Sequence, residues 1–360
     1  MTLHDMTIHD MPPRSDPTSS SVGEAAAEPS APLLDVRRLR VEYVTGRGAV
    51  RAVDDVSFAI RKGEVLGLAG ESGCGKSTIA NAVTRLLRPP AQVTGGQILF
   101  DGQDVLALTA DALRRFRWSR VSIVAQSAMN ALNPVMSIGA HMVDTLQAHT
   151  EMSKREALER GAELLRVVGI ESSRLKSYPH ELSGGMRQRA VIALGLALNP
   201  DLIIMDEPTT ALDVVVQKEI MQQIEDLKDR FGFSILFITH DISLLVEFSD
   251  RIAIMYAGKI AEVAPARELF REPRHPYTVG LMNSFPALDA LDDVVMTGIP
   301  GAPPDLAAPP SGCRFHPRCP HAMSVCKRDE PLLAAVSLAH PVACHLYPSR
   351  GRRRGRGLEE

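Results

Sequence analysis

Hydrophobic and polar positions change their spacing several times along the chain, and each change predicts a different kind of element. Residues 39–44 alternate between apolar and polar side chains, as expected of a half-buried strand. Residues 53–60 have the pattern of a second strand, and the uninterrupted apolar run Val65–Ala69 is typical of a strand buried on both faces. A glycine-rich turn follows, and then a helix is predicted from about Lys76 to Leu87.

The middle of the chain is predicted to be helical, and the part after it returns to strands. Residues 97–100 and 121–125 are short strand candidates. Between about 139 and 180 the period changes, and apolar residues within 151–168 recur at helical spacing. Strand patterns resume, with helical segments between them, at residues 202–205, 234–239 and 251–256. Strands that alternate with helices predict an α/β fold with a parallel sheet.

The two ends of the chain lack such a pattern. Residues 1–32 are rich in Pro, Ser, Ala and Glu, and we interpret them as a disordered leader. For the basic segment at 349–360, a solvated, disordered tail is favoured over nucleic-acid binding. The remaining chain divides into a domain at 33–265 and a C-terminal extension at 266–348, where the sequence first becomes Pro-rich.

Composition disfavours several classes of protein. Of the 360 residues, 45% are apolar and 23% are charged, values typical of globular proteins. The net charge of −3 argues against bulk nucleic-acid binding. No apolar run is long enough for a membrane helix, and the N-terminus lacks the apolar core of a secretory signal. We therefore expect a cytoplasmic protein, for which any membrane role requires membrane-spanning partners.

The strongest chemical signal is the segment Gly70–Ser77, which fits the pattern G-x-x-x-x-G-K-[ST] between a buried strand and a helix. Glycines let such a loop turn its backbone N–H groups toward phosphates, Lys76 reaches the β- and γ-phosphates, and Ser77 can ligate Mg²⁺. Cys74 fills a free position of the pattern, so we interpret it as a tolerated small residue. We predict nucleotide binding by Gly70, Ser72, Gly73, Cys74, Gly75, Lys76, Ser77 and Thr78.

Two further segments extend this predicted site. An apolar strand ends in Asp206, which is expected in the Mg²⁺ shell, and in Glu207, which is placed to orient or deprotonate an attacking water. Ser183 and two glycines open another helix, whose N–H groups form an anion site, although an ordinary Ser-capped helix has the same pattern. Because the first loop already holds phosphates, a second cradle suggests that ATP is shared with another subunit.

In combination, these segments make the sequence similar to the ATP-binding subunits of ATP-binding cassette (ABC) transporters. The family's Walker A, Q-loop, signature, Walker B, D-loop and H-loop are matched in order by Gly70–Thr78, Gln126, Leu182–Gln188, Leu202–Glu207, Ala211–Asp213 and His240. The resemblance implies a P-loop, RecA-like α/β core with an antiparallel β subdomain and a helical subdomain at about 127–185. It also implies a small Cys-rich extension at the C-terminus.

The resemblance assigns roles to individual residues. Tyr43 is similar to the aromatic residue that stacks on adenine, and Gln126 to the sensor of Mg²⁺ and water, which adds it to Ser77 and Asp206 around the ion. His240 is similar to the switch histidine that contacts the γ-phosphate, and it joins Glu207 and Gln126 as the implied catalytic set. The residues implied to complete the ATP site of an opposing subunit are Ser183, Gly184, Gly185, Gln188 and Asp213.

Residues 126–134 and 274–278 resemble the oligopeptide, dipeptide and nickel permease branch of the family, and so does a late group of cysteines. The group consists of Cys313, Cys319, Cys326 and Cys344. An odd total of five cysteines without a signal peptide argues against a disulfide framework, and four thiolates suit zinc or an iron–sulfur cluster. In this branch a similar motif is associated with a [4Fe–4S] cluster, which we expect here, with Zn²⁺ as the alternative. Nearby histidines that could replace a ligand are His316, His321 and His345.

The resemblance implies an ATP-hydrolysing motor that drives import of dipeptides or oligopeptides from the cytoplasmic face of the inner or plasma membrane. Its implied partners are a second ATPase subunit (expected to be a different chain), two transmembrane permease subunits and an extracytoplasmic substrate-binding protein. Nickel chelates, opines and oligosaccharides are alternative cargoes. A soluble ABC ATPase acting on ribosomes or DNA is disfavoured by the single, uninterrupted cassette. An iron–sulfur regulator with ATP as effector is disfavoured by the complete hydrolytic set.

Overall fold

The computed structural model describes residues 31–46, 48–125, 131–210, 212–284, 298–337 and 339–347. Gln126 and the basic tail lie outside these residues, as does most of the predicted leader. The described chain from Pro32 onward belongs to one compact unit. No helix within the described ranges is long and apolar enough to cross a membrane.

The strands of the described chain form two sheets. In chain order they are β1 (Leu34–Thr45), β2 (Gly48–Ile60), β3 (Val65–Ala69), β4 (Ala91–Phe100), β5 (Gln103–Asp104), β6 (Val121–Val124), β7 (Leu202–Asp206), β8 (Ser234–Ile238), β9 (Arg251–Tyr256), β10 (Lys259–Pro265), β11 (Ala334–Ser337) and β12 (His340–Val342). The smaller, antiparallel sheet has the order β2-β1-β4-β5. The larger sheet has the order β11-β12-β10-β9-β3-β8-β7-β6.

Helices connect these strands. They are α1 (Lys76–Val83), α2 (Ala110–Phe116), α3 (Ile138–Gln147), α4 (Lys154–Val167), α5 (Gly184–Gly195), α6 (Val214–Phe231), α7 (Ile242–Phe248), α8 (Ala266–Arg271) and α9 (Pro276–Met282). Helix α4 begins with a full capping box, in which Ser153 and Glu156 exchange side-chain to backbone hydrogen bonds. The predicted change of period between about 139 and 180 is confirmed by α3 and α4.

The large sheet is buried on both faces because its side chains alternate between two apolar layers. On β3, Leu66 and Leu68 pack with the small sheet and α1, whereas Val65 and Ala69 pack with the layer that contains α3 to α6. This two-sided burial explains why β3, β7 and β8 are continuous apolar runs in the sequence.

The central strands of the large sheet are parallel, in the order β9-β3-β8-β7-β6. Their carboxyl ends therefore meet at one edge of the sheet, the usual position of ligand sites in such folds. The segments that leave β3, β8 and β7 at this edge contain Lys76, His240 and Glu207, respectively. The predicted parallel α/β core is thus confirmed, and its topology brings the predicted chemical segments to one edge.

The extension continues this sheet instead of forming a separate layer. Strand β10 pairs with β9, and the hairpin β11–β12 joins β10 through the pairing of Glu262 with Val342. The sequence pattern did not predict β10, β11 or β12. Strand β10 places the charged Glu262 in the interior, and β12 is three residues long, so neither produces a clear alternation.

The predicted helix at 76–87 ends earlier than expected. Helix α1 stops at Val83, and the hydroxyl of Thr84 donates a 2.9 Å hydrogen bond to the carbonyl of Ala80. Arg85 then adopts a positive φ of 52°, a conformation that is incompatible with continuation of a right-handed α-helix. The prediction of the helix was correct, and its last four residues were wrong.

A buried histidine fastens the hairpin to the sheet. His340 is completely buried, with Nε2 2.6 Å from Oε1 of Glu262 and Nδ1 2.8 Å from Oε1 of Glu268. Burial lowers the pKa of His340, but the hydrogen bonds to the two carboxylates outweigh it and raise the pKa overall. The protonated imidazole therefore bridges β12, β10 and α8.

We expect His340→Gln to lower the free energy of unfolding by about 3 kcal/mol below pH 6.5, because it breaks a buried charge pair. A raised folded-state pKa gives stability that is complete below the unfolded value and lost as the pH rises through the folded value. The difference between wild type and variant should therefore shrink toward alkaline pH. Denaturant unfolding across pH measures it, with the exposed His180→Gln as control. A difference that grows with pH would contradict this assignment.

Candidate nucleotide site

The loop between β3 and α1, residues 70–75, is shaped by close backbone contacts. A Cβ atom at Gly70 would lie 2.1 Å from the carbonyl oxygen of Met255, and one at Gly75 would lie 2.2 Å from that of Ala52. Both glycines also have positive φ, 150° and 110°. Only glycine fits these two positions, so β2 and β9 dictate the path of this phosphate loop.

Lys76, the first residue of α1, is buried and folded back over the loop. Its Nζ atom donates hydrogen bonds to the carbonyl oxygens of Gly70 at 2.6 Å and Glu71 at 3.1 Å. It also lies 3.8 Å from Sγ of Cys74, whose pKa is raised by burial. The ammonium is thus held at the loop, where a phosphate group can exchange for these carbonyl partners.

Asp206 and Ser77 meet beside the loop, as the sequence predicts for a magnesium site. Asp206 ends β7 and is 6% exposed, and burial raises its pKa while a hydrogen bond from Ser77 opposes that shift. Its Oδ1 atom is buried without a hydrogen-bond partner among the described residues. A buried carboxylate oxygen of this kind fits a hard cation, for which oxygen is the preferred ligand. The predicted third member, Gln126, lies outside the described chain.

Glu207 and His240 face each other at the same sheet edge. The Nδ1 atom of His240 is 3.3 Å from Oε1 of Glu207, and Thr210 donates a 3.1 Å hydrogen bond to Oε2. Glu207 has a positive φ of 49°, unusual for a residue other than glycine and typical of functional positions. The carboxylate and the imidazole can therefore act together on one water molecule or phosphate oxygen.

Tyr43 lies next to the start of α1. Its hydroxyl is 3.3 Å from Oγ1 of Thr78, and the side chain is half-buried at the end of β1. The aromatic ring is therefore beside the phosphate loop, which is compatible with the stacking role that the sequence predicts.

The signature segment begins a separate helix. Ser183 caps α5 by accepting a hydrogen bond from the N–H of Met186, and Asp213 caps α6 in the same way from Val216. The two helix N-termini are neighbours, since a Cβ atom at Gly185 would lie 2.9 Å from Val216. Both Ser183 and Asp213 are exposed, whereas Gln188 is buried. Ser183 and Asp213 are thus available to a ligand or protein that approaches from outside.

Two residues at the phosphate loop were not among the predicted site residues. The hydroxyl of Tyr277 accepts a 2.9 Å hydrogen bond from the N–H of Glu71, and Arg318 forms an ion pair with the Glu71 carboxylate. Tyr277 belongs to the segment His-Pro-Tyr-Thr that marked the permease branch in the sequence, but no spacing rule links it to a loop 200 residues earlier.

The four late cysteines gather in the extension as free thiols. Burial, with smaller contributions from the neighbouring Cys326, Cys344 and Cys319, raises the pKa of Cys313 to about 11. Nevertheless, within the described ranges no three His, Cys, Asp or Glu side chains are arranged to hold a metal ion. The structure therefore does not support the predicted metal site directly. Of the three nearby histidines, His316 and His345 form hydrogen bonds with backbone carbonyls, those of Cys313 and Asp329.

Comparison with known proteins agrees with this geometry. Residues 53–210 match the ABC transporter family, and residues 261–326 match the C-terminal region of oligopeptide/dipeptide transporters. The chain is 44% identical over 319 residues to the oligopeptide transport ATP-binding protein OppD of Escherichia coli, covering 87% of this chain and 94% of OppD. This chain is an ATP-binding subunit of the ABC transporter family.

Other relatives of this ABC subunit have similar names. It is 44% identical over 321 residues to the dipeptide transport ATP-binding protein DppD of Bacillus subtilis, which covers 88% of this chain and 96% of DppD. It is also 44% identical to a probable peptide ABC transporter ATP-binding protein of Sinorhizobium fredii, over 87% of this chain and 94% of the relative.

Solved structures confirm the cassette fold. The dimeric ABC transporter cassette MJ0796 matches with a TM-score of 0.59 at 29% identity, covering 65% of this chain and 99% of the cassette. A dimeric post-hydrolysis state of the same cassette, bound to ADP and Pi, matches equally well. The chain is accordingly an ABC-type ATPase.

The contacts of the ABC subunit's phosphate loop lead to a stability prediction. Gly75→Ala should lower the free energy of unfolding by about 3 kcal/mol or more, because backbone strain and overpacking add. The matched control is Gly102→Ala, a positive-φ position with open space around it, for which about 1–2 kcal/mol is expected. Denaturant titration compares the two variants. Equal losses would show that the contact with Ala52 does not restrict the loop.

Proposed function

We propose that this subunit hydrolyses ATP to drive the import of dipeptides or oligopeptides through a membrane transporter. The observation that supports it most is the convergence of Lys76, Asp206 and Glu207 at one edge of a parallel sheet, in a chain whose relatives are named as peptide transport ATPases. Nickel chelates, opines and oligosaccharides are the alternative cargoes.

In this proposal the residues of the loop and sheet edge divide the work on ATP. The N–H groups of 70–77 and the Lys76 ammonium bind the phosphates, and Tyr43 stacks on the adenine. Asp206 and Ser77 would hold Mg²⁺, which would neutralise phosphate charge. Glu207 orients or deprotonates the attacking water, and His240 contacts the γ-phosphate.

The second half of each ATP site comes from another subunit in this proposal. The exposed N-terminus of α5, with Ser183, Gly184, Gly185 and the buried Gln188, faces the phosphates held by the opposing chain, and Asp213 lies at the contact between the chains. Support comes from the dimeric cassettes that the fold resembles. The opposing subunit is expected to be a different ATPase chain.

The remaining partners are two transmembrane permease subunits and an extracytoplasmic substrate-binding protein. In this arrangement the chain is peripheral, at the cytoplasmic face of the inner or plasma membrane. Closure of the ATPase pair on ATP moves the membrane subunits, and hydrolysis resets them. The cargo is bound by the membrane and extracytoplasmic partners, not by this chain.

The hydrolytic role is tested with Glu207→Gln in the purified full-length chain. We expect phosphate release at saturating ATP to fall by about 10²- to 10⁴-fold, because a general base is lost while the phosphate contacts remain. Binding of ATP, measured with a fluorescent analogue, should be unchanged.

The matched control is Glu159→Gln, which alters an exposed carboxylate on α4. It should affect neither phosphate release nor binding. Phosphate release by Glu207→Gln at the wild-type rate would contradict the assignment of Glu207.

We also propose that Cys313, Cys319, Cys326 and Cys344 hold a [4Fe–4S] cluster, with Zn²⁺ as the alternative occupant. The support is chemical: three thiols lie close enough to Cys313 to contribute to its raised pKa, none of the four forms a disulfide, and thiolates are the ligands of such clusters. The ligands of an iron–sulfur cluster also lie farther apart than the ligands of a single metal ion do. The cluster would stabilise a region that has little apolar core of its own.

Anaerobic purification with iron, sulfide and zinc analysis tests this assignment. We expect about four irons per chain with broad visible absorption, and a loss of both in Cys319→Ser. Cys74→Ser, in the phosphate loop, is the matched control and should keep the iron. A colourless protein with about one zinc per chain would favour the alternative, and a metal-free protein would overturn both.

A further inference from the structure

The second residue of the phosphate loop, Glu71, is held from outside by the C-terminal extension. Its backbone N–H donates a 2.9 Å hydrogen bond to the hydroxyl of Tyr277. Its carboxylate accepts two hydrogen bonds from Arg318, with Nη1 to Oε2 at 2.7 Å and Nη2 to Oε1 at 2.9 Å. Both main chain and side chain of Glu71 are therefore fixed by residues more than 200 positions away.

The Arg318 guanidinium is itself rigidly placed. Its Nε atom donates to the carbonyl of Pro300 at 2.9 Å, and its Nη2 atom approaches that of Ile299 at 3.3 Å. Nη1 also lies 3.3 Å from the hydroxyl of Tyr256, and the side chain is 7% exposed. A planar, two-pronged contact of this kind fixes direction as well as distance, which a lysine could not do.

The segment that carries Arg318 is anchored to the cassette at other points. Phe315 packs against the rings of Tyr256 and Tyr277, with centroids 5.2 and 5.4 Å apart. Arg314 donates hydrogen bonds to the carboxylate of Asp54 and to the carbonyl of Ala257. The segment 313–319 is thus a clamp that joins the cysteine region to the strands beneath the phosphate loop.

The negative charge of Glu71 lies close to the phosphate loop, so its neutralisation by Arg318 bears on phosphate binding. The Glu71 carbonyl accepts a 3.1 Å hydrogen bond from Lys76 Nζ, so Glu71 lies next to the place where the phosphates bind in the proposed function. Burial raises the pKa of Cys74 inside the loop, and the negative charge of Glu71 adds to that increase. A carboxylate whose negative charge acts within the loop repels a triphosphate unless a cation neutralises the carboxylate.

We propose that Arg318 is a positioning residue for ATP binding, which fixes Glu71 and the phosphate loop and neutralises the Glu71 charge. This role rests on the proposed function, since it concerns the same nucleotide site. It gives the extension a part in setting the affinity of the cassette for ATP, through a contact with a variable position of the phosphate loop.

The test measures the Kd for ATP and the rate of phosphate release in the full-length wild type, Arg318→Ala, Arg318→Lys and the double variant Arg318→Ala/Glu71→Ala. We expect Arg318→Ala to weaken ATP binding by about tenfold, with the rate at saturating ATP within about twofold, because the loop and not the catalytic carboxylate is disturbed. The lysine variant keeps the charge but loses the fork, so its Kd should fall between the two.

The double variant separates this role from a merely structural one. Removal of the unpaired carboxylate should bring the Kd back to within about threefold of wild type, whereas damage to the fold would not be repaired. Arg155→Ala, which breaks an exposed ion pair on α4, is the control and should not change the Kd. An unchanged Kd in Arg318→Ala, or no recovery in the double variant, would overturn the proposal. Failure of wild type itself to bind ATP would instead overturn the proposed function.

Discussion

The close approach of the phosphate loop to the backbone of β2 and β9 is the constraint on which the site depends. At Gly70 and Gly75 the carbonyls of Met255 and Ala52 occupy the space of a side chain, so the loop has one available path. That path begins α1 at Lys76 and brings its ammonium back over the loop carbonyls. It also places Ser77 against Asp206 of β7. The geometry needed to hold phosphates is thus built before any ligand arrives.

The parallel sheet supplies the rest of the chemistry because its strands end at one edge. Asp206 and Glu207 leave β7 there, and His240 leaves the neighbouring β8. The exposed N-terminus of the signature helix is not part of this group, which agrees with a site finished by a second subunit. The extension adds a further layer of control, because it continues the same sheet through β11 and β12 and contacts the loop through Tyr277 and Arg318.

Local sequence pattern was sufficient for the parts of the fold that repeat a period or a motif. The strands β3, β7 and β8 are continuous apolar runs, and Gly70–Ser77 has fixed spacing, so both were predictable. Strands β10 and β12 were missed because Glu262 and His340 are buried as a charged pair. Their polar side chains interrupt the apolar pattern by which buried strands are recognised in a sequence. The contact of Arg318 with Glu71 was missed for another reason: it joins distant segments, and each residue fills a variable position of its motif. The position of Gln126 stays a prediction.

The central claim is that the loop around Lys76 binds the phosphates of ATP, and one titration tests it most directly. Calorimetric titration of the full-length chain with ATP and Mg²⁺ should give saturable binding at one site per chain. Lys76→Ala should lose at least about tenfold in affinity, since a charge-assisted contact worth about 1.5–3 kcal/mol is removed. Equal affinity of wild type and Lys76→Ala, or no binding by wild type, would contradict the account.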